Sequence, residues 1–221
     1  LDELEAALIQ HKPAILAIVH AETSTGVCQP VEGVGDLCRK HDCLFLLDTV
    51  TSLGGVPLYI DDWKVDLAYS CSQKGLSCPP GLGPFTMGTR AAEKMESRSG
   101  KTPNWYLDVS LLNKYWGNDR VYHHTAPVNM NFGMREALRL LAEEGLSESW
   151  ARHRRNAEAL WSGLESQGLT MHVPADRRLP TLTTVRIPEG VDGKAFSQHL
   201  LNNHGIEVLS LIHISEPTRL H

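Results

Sequence analysis

Two short apolar runs on either side of one amphipathic segment restrict this chain more than any other feature. Ala14-Ile15-Leu16-Ala17-Ile18-Val19 shows no polar alternation and reads as a strand buried on both faces. Val31 to His41 then sets Val31, Val34, Leu37 and Cys38 at helical spacing, and Cys43-Leu44-Phe45-Leu46-Leu47 is a second apolar run, closed by Asp48. Strand, helix and strand within about 35 residues is the size of a βαβ unit. Val65 to Ser70 and Gly83 to Met87 read as a third and a fourth strand, and Asp2 to Gln10 as a helix that ends before Pro13. The expected class is α/β, a mostly parallel sheet with helices on both faces.

Beyond Gly88 the texture changes. Arg90 to Ser97 reads as a helix, Lys101 to His124 is aromatic and irregular, and Asn131 to Glu144 is helical up to the stop at Gly145. A long helix from Ser147 to Gly168 follows, then strands near Thr170 to Val173 and Thr181 to Ile187, then a helix from Gly193 to His204 stopped by Gly205. The expected division is a large domain over 1–146 and a small α+β domain over 147–208. The remaining 209–221 contain Leu209-Ser210-Leu211-Ile212-His213-Ile214-Ser215-Glu216-Pro217-Thr218-Arg219, which resembles the translation of a sequencing adapter and is expected to be a non-native tail. The chain opens on Leu1 within an amphipathic pattern, so a longer N-terminus carrying any targeting signal is expected.

Charge and cysteine use narrow the partners. A net charge of −5 offers no broad positive field for nucleic acid or anionic lipid, and no apolar run nears the roughly 20 residues that span a bilayer. The five cysteines include no C-x-x-C pair, which argues against a zinc clip or disulfide framework and for a reducing, intracellular setting.

Ligands collect at the carboxyl ends of strands in an open parallel sheet. Three such ends converge here: His20-Ala21-Glu22-Thr23-Ser24-Thr25-Gly26, Asp48-Thr49-Val50, and Ser70-Cys71-Ser72-Gln73-Lys74-Gly75. Asp48, at the rim of a buried strand, needs a cationic or proton-donating partner, for which the ring nitrogen of a pyridine cofactor is suitable. Lys74 sits among small residues and could form a Schiff base with an aldehyde. A carboxylate opposite a pyridinium and a lysine beside it make an electron sink. Each residue alone has a plainer reading, Asp48 as a turn or capping residue and 23–26 as a polar turn; their combination in chain order favours the functional one.

The segments His20 to Val27, Leu47 to Gly55, Ser70 to Lys74 and Tyr122-His123-His124-Thr125-Ala126-Pro127 resemble the alanine–glyoxylate and serine–pyruvate aminotransferases of the class V pyridoxal phosphate enzymes, over Leu1 to about Val208. The resemblance implies a fold type I pyridoxal 5'-phosphate-dependent transferase that works as a homodimer with shared active sites. It implies an amino acid and a 2-oxo acid as substrates, and a peroxisomal or mitochondrial location. Lys74 would be the cofactor lysine and Asp48 the pyridinium partner. Gln73 would contact the phosphate, Val50 would pack on one ring face, and Thr23 would lie near the cofactor hydroxyl where animal members carry serine. Tyr122 and Thr125 would reach the phosphate from the partner subunit.

Two parts of the family's site are expected outside the matched region: the main phosphate-binding turn and the arginine for the substrate carboxylate. The competing readings are a lyase or desulfurase of the same fold, or an inert chain with an incomplete pocket. No metal is expected, because adjacent His123 and His124 in an extended segment point opposite ways. The basic run Arg152-His153-Arg154-Arg155 reads as a solvated helix face, and Trp105, Trp116, Trp150 and Trp161 as core or interface anchors.

Overall fold

The computed structural model describes residues 1–209. In chain order these form α1 (Asp2–His11), β1 (Ile15–Val19), β2 (Ala21–Glu22), β3 (Val27–Cys28), α2 (Val34–Lys40), β4 (Leu44–Asp48), β5 (Leu67–Tyr69), β6 (Phe85–Met87), α3 (Thr89–Glu96), α4 (Val109–Trp116), α5 (Val128–Glu144), α6 (Leu146–Ser166) and α7 (Gly193–His204). The tail expected over 209–221 lies, beyond Leu209, outside the described residues.

The sheet has the order β1-β4-β5-β6. β1 and β4 run parallel, as do β4 and β5, whereas β6 is antiparallel to β5. A parallel connection needs a crossover of a dozen or more residues, usually a helix. The segment between β5 and β6 holds no helix among the described residues and turns back on itself, so the fourth strand returns reversed.

One sheet face packs on helices. Phe45, Leu47 and Ala68 are buried against Leu8 of α1, Val34 and Cys38 of α2, and Val31, with Leu16 and Ile18 of β1 at the margin. The other face carries Ile15, Val19, Tyr69 and Phe85, all exposed. Among the described residues the expectation that β1 is buried on both faces is corrected: its burial alternates with the pleat, because helices pack on one face alone.

In the later part, Ala157 and Trp161 of α6 bury against Met171, and the Trp161 indole donates to Thr183 Oγ1 at 2.9 Å. The two strands expected there shrink to one antiparallel bridge, Met171 with Val185, flanked by backbone bonds between His172 and Thr184 and between Arg186 and Thr170. Between them the chain is diverted: Pro174 and Pro180 lack an N–H for a ladder, Leu179 is buried against Ala21 and Val56, and Arg178 bridges to Val27. Ser149 Oγ of α6 donates to the Gly54 carbonyl, and Thr184 Oγ1 to the Thr25 carbonyl at 2.6 Å, so this part is tied to the strand-end loops.

Fully burying a large apolar side chain contributes about 1.5–3 kcal/mol, whereas exposed ion pairs such as Arg154 with Glu158 contribute about 0–1 kcal/mol. The core therefore holds the sheet, with one polar exception. Asp66 is buried, and its Oδ2 accepts from the Phe45 N–H at 2.9 Å and from Arg90 Nη1 at 2.8 Å, which clamps α3 to the start of β4. Replacing Arg90 by Met leaves that carboxylate without its cation, so a loss of about 3 kcal/mol is expected in urea denaturation.

Candidate active site

The loops after β1, β4 and β5 leave the same edge of the sheet, because those strands are parallel and in register at their ends. Val19 is level with Asp48, and Asp48 with Tyr69. The first loop is a two-stranded turn, β2 with β3, and Glu22 Oε1 accepts from the Ser24 N–H and hydroxyl. The Ser24 hydroxyl, and then its N–H, hold the Glu22 carboxyl below its usual value. Thr23 Oγ1 lies 2.6 Å from Thr51 Oγ1 in the second loop, so these two hydroxyls join the first two strand ends.

Asp48 terminates β4 with both carboxylate oxygens engaged. Oδ1 accepts from the Val50 N–H at 2.8 Å, the turn expected of an aspartate at a strand end. Oδ2 accepts from the Tyr69 hydroxyl at 2.6 Å. That bond to a carboxylate holds the Tyr69 phenol above its ordinary value.

The second and third loops are stitched together. The Thr49 N–H donates to the Tyr69 carbonyl, as does the Thr49 hydroxyl, and Ser70 Oγ donates to the Thr49 carbonyl at 3.0 Å. Ser72 is fully buried, and its hydroxyl donates to the Pro79 carbonyl at 2.7 Å, which closes the lysine loop on itself. Gly75 follows Lys74 because a side chain there would collide with the Leu53 carbonyl. Gly54, at φ 85°, takes the left-handed conformation on the opposite side of that contact. Lys74 and Gln73 thus sit exposed on a loop whose two flanks are fixed. Lys40, Lys64 and Lys94 are committed to ion pairs among the described residues, and Lys74 is not.

Tyr122 and Thr125 lie elsewhere, between α4 and α5. Both are exposed, and Tyr122 Oη and Thr125 Oγ1 are 3.0 Å apart. Within one chain they are bonded to each other and not to the Lys74 loop. The adjacent histidines differ from expectation: instead of pointing apart, His123 and His124 bring their Nδ1 atoms to 2.8 Å. The segment bends here because His123 is buried, stacks on Trp105 with 4.0 Å between ring centroids, and uses Nε2 to donate to the Trp105 carbonyl. That assignment leaves His123 Nδ1 as the acceptor from His124.

Tyr69 and Thr51 do not stand out in the sequence. Strand parity offered a signal for Tyr69, since parallel neighbours in register share a face. Thr51 depends on a loop path that periodicity does not describe. Replacing Gly75 by Ala should cost about 1–3 kcal/mol by overpacking and displace Lys74, whereas Gly163→Ala, with open space around it, should not destabilise; thermal unfolding of both variants checks this.

The family model for aminotransferase class-V matches residues 1–219. Alanine–glyoxylate aminotransferase of Callithrix jacchus is 46% identical over 213 residues, 94% of this chain and 51% of that protein. (S)-Ureidoglycine–glyoxylate transaminase of Bacillus subtilis is 38% identical, over 90% of this chain and 52% of that protein. A crystal structure of alanine–glyoxylate aminotransferase from Nostoc sp. is 62% identical with a TM-score of 0.91, covering 96% of this chain and 57% of that one. The chain thus spans about half the length of the relatives it matches. With its strand-end loops, lysine and aspartate in the order described, the chain belongs to the class V aminotransferases, on the fold type I scaffold.

Proposed function

We propose that this chain carries the cofactor lysine of a pyridoxal 5'-phosphate-dependent aminotransferase, one that moves an amino group from alanine or serine to glyoxylate or pyruvate. The observation that carries the reading is the placement of Lys74 and Asp48 on stitched loops at the ends of neighbouring parallel strands. The donor set suits the cofactor: an amine outside the ion pairs, a carboxylate oriented by two donors, and the Thr23 hydroxyl at the first strand end. Glyoxylate occurs in the names of all three relatives described above, which supports it as acceptor.

When bound, pyridoxal phosphate supplies a ring that accepts the electron pair left on a substrate α-carbon. Lys74 would hold the cofactor and, as a free amine, would take the proton from the substrate α-carbon and give it back, acting as base and then acid. Asp48 would offer its charge to the ring nitrogen. Val50 would pack on a ring face, Thr23 would lie near the ring hydroxyl, and Gln73 would contact the phosphate. Donor and acceptor then react in turn at the same site.

A homodimer with shared sites fits the surface around Tyr122. Tyr122, Trp105 and Trp116 are 70%, 58% and 63% exposed and are joined through the rings of Tyr115, His123 and His124, and a cluster of large apolar side chains in water marks a partner surface. In this reading Tyr122 and Thr125 reach the phosphate held by the partner subunit. We further propose a division into two domains at residue 146, where Gly145 separates α5 from α6, and a location inside the cell, in a peroxisome or mitochondrion. Among the described residues no helix is long and apolar enough to cross a membrane. The desulfurase alternative has less support: the likeness to a cysteine desulfurase from Thermococcus onnurineus is at 18% identity, and so shows the fold alone.

The test is transamination of alanine with glyoxylate, followed as pyruvate. Lys74→Ala should abolish it, and Asp48→Ala should lower it by about 10²–10⁴-fold, the range for a misplaced acid–base step. Near-normal turnover by either variant would contradict the assignment.

A further inference from the structure

The row Val19, Asp48, Tyr69 and Phe85 crosses the sheet at its site edge, one residue from each strand. In-register neighbours present side chains on one face, so Asp48 stands between an apolar neighbour and a phenol. Tyr69 is 40% exposed, and its ring lies on the face away from the main core, so packing does not account for a tyrosine there. Among the described residues the hydroxyl has one partner, Asp48 Oδ2 at 2.6 Å. Phenylalanine would fill the same space without that bond.

We propose that Tyr69 is a positioning residue for the cofactor's ring nitrogen, acting through Asp48. This rests on the reading that Asp48 faces that nitrogen. A carboxylate has about four lone-pair sites; Val50 and Tyr69 occupy one on each oxygen and fix the carboxylate plane, leaving sites for a ring N–H. The hydroxyl also keeps the carboxylate in place as an acceptor: with a donor on each oxygen, a ring N–H would meet a charged partner held in one orientation. Without the hydroxyl the carboxylate would be held by the Val50 N–H alone, and a ring N–H would lose its fixed partner.

The experiment uses the chain with pyridoxal phosphate labelled with ¹⁵N in the ring, and the chain alone labelled with ¹³C at the tyrosine Cζ. In the chain alone, Tyr69, assigned by the signal missing in Tyr69→Phe, should ionise at higher pH than an exposed tyrosine and should lose that difference in Asp48→Asn. With cofactor bound, the ring nitrogen should resonate in the protonated range, and Tyr69→Phe should move it toward the unprotonated position. Turnover should fall about tenfold in kcat, the loss of one hydrogen bond to a charged group, with substrate KM little changed. A ring-nitrogen signal that stays put in Tyr69→Phe while cofactor remains bound overturns this inference and leaves the proposed function standing. A bound cofactor whose nitrogen signal ignores Asp48→Asn overturns both.

Discussion

The parallel pairing of β4 with β5, three residue pairs ending at Asp48 and Tyr69, is the contact on which the rest depends. It buries Leu47 and Ala68 on one face, and on the other it brings a carboxylate and a phenol to hydrogen-bonding distance. A slip of one residue would turn Asp48 toward the helices and Leu47 toward the open face. The same core that stabilises the sheet therefore fixes the chemistry at its edge. Because both strands end level, their loops must leave together, and their backbones bond to each other directly.

That common exit explains the small residues near Lys74. Ser70, Ser72 and Gly75 are required by the closeness of the two loops: Ser70 and Ser72 donate to neighbouring carbonyls, and Gly75 leaves room for the Leu53 carbonyl. The lysine is exposed at the centre of a constrained loop, which limits the ordering cost of binding through it. Asp66 and Arg90 do analogous work at the opposite end of β4, where a buried carboxylate joins the strand to α3.

Much of this was legible in the residues. The run from Ala14 to Asp48 announced strand, helix and strand because apolar runs and helical spacing are local properties, and Asp48 and Lys74 were prominent because they follow such runs. The reversal of β6 was not legible, since strand direction depends on how a loop without a helix turns back. Nor were the strands near 170 and 185, whose pairing is interrupted by residues that turn toward Ala21 and Val56. His123 and His124 were misjudged because the extended geometry assumed for them yields to the stacking of His123 on Trp105. Tyr122 and Thr125 owe their proposed role to the family resemblance, and their single-chain geometry is only a bond between them.

The most direct test of Lys74 as the proposed cofactor lysine, placed by the register of β4 and β5, is borohydride reduction of the chain with pyridoxal phosphate, followed by peptide mapping of the reduced adduct. One pyridoxyl adduct is expected, on the peptide containing Lys74, formed at equimolar cofactor. Adducts spread over exposed lysines such as Lys12, Lys101 and Lys194, with Lys74 no more labelled than the rest, would contradict it.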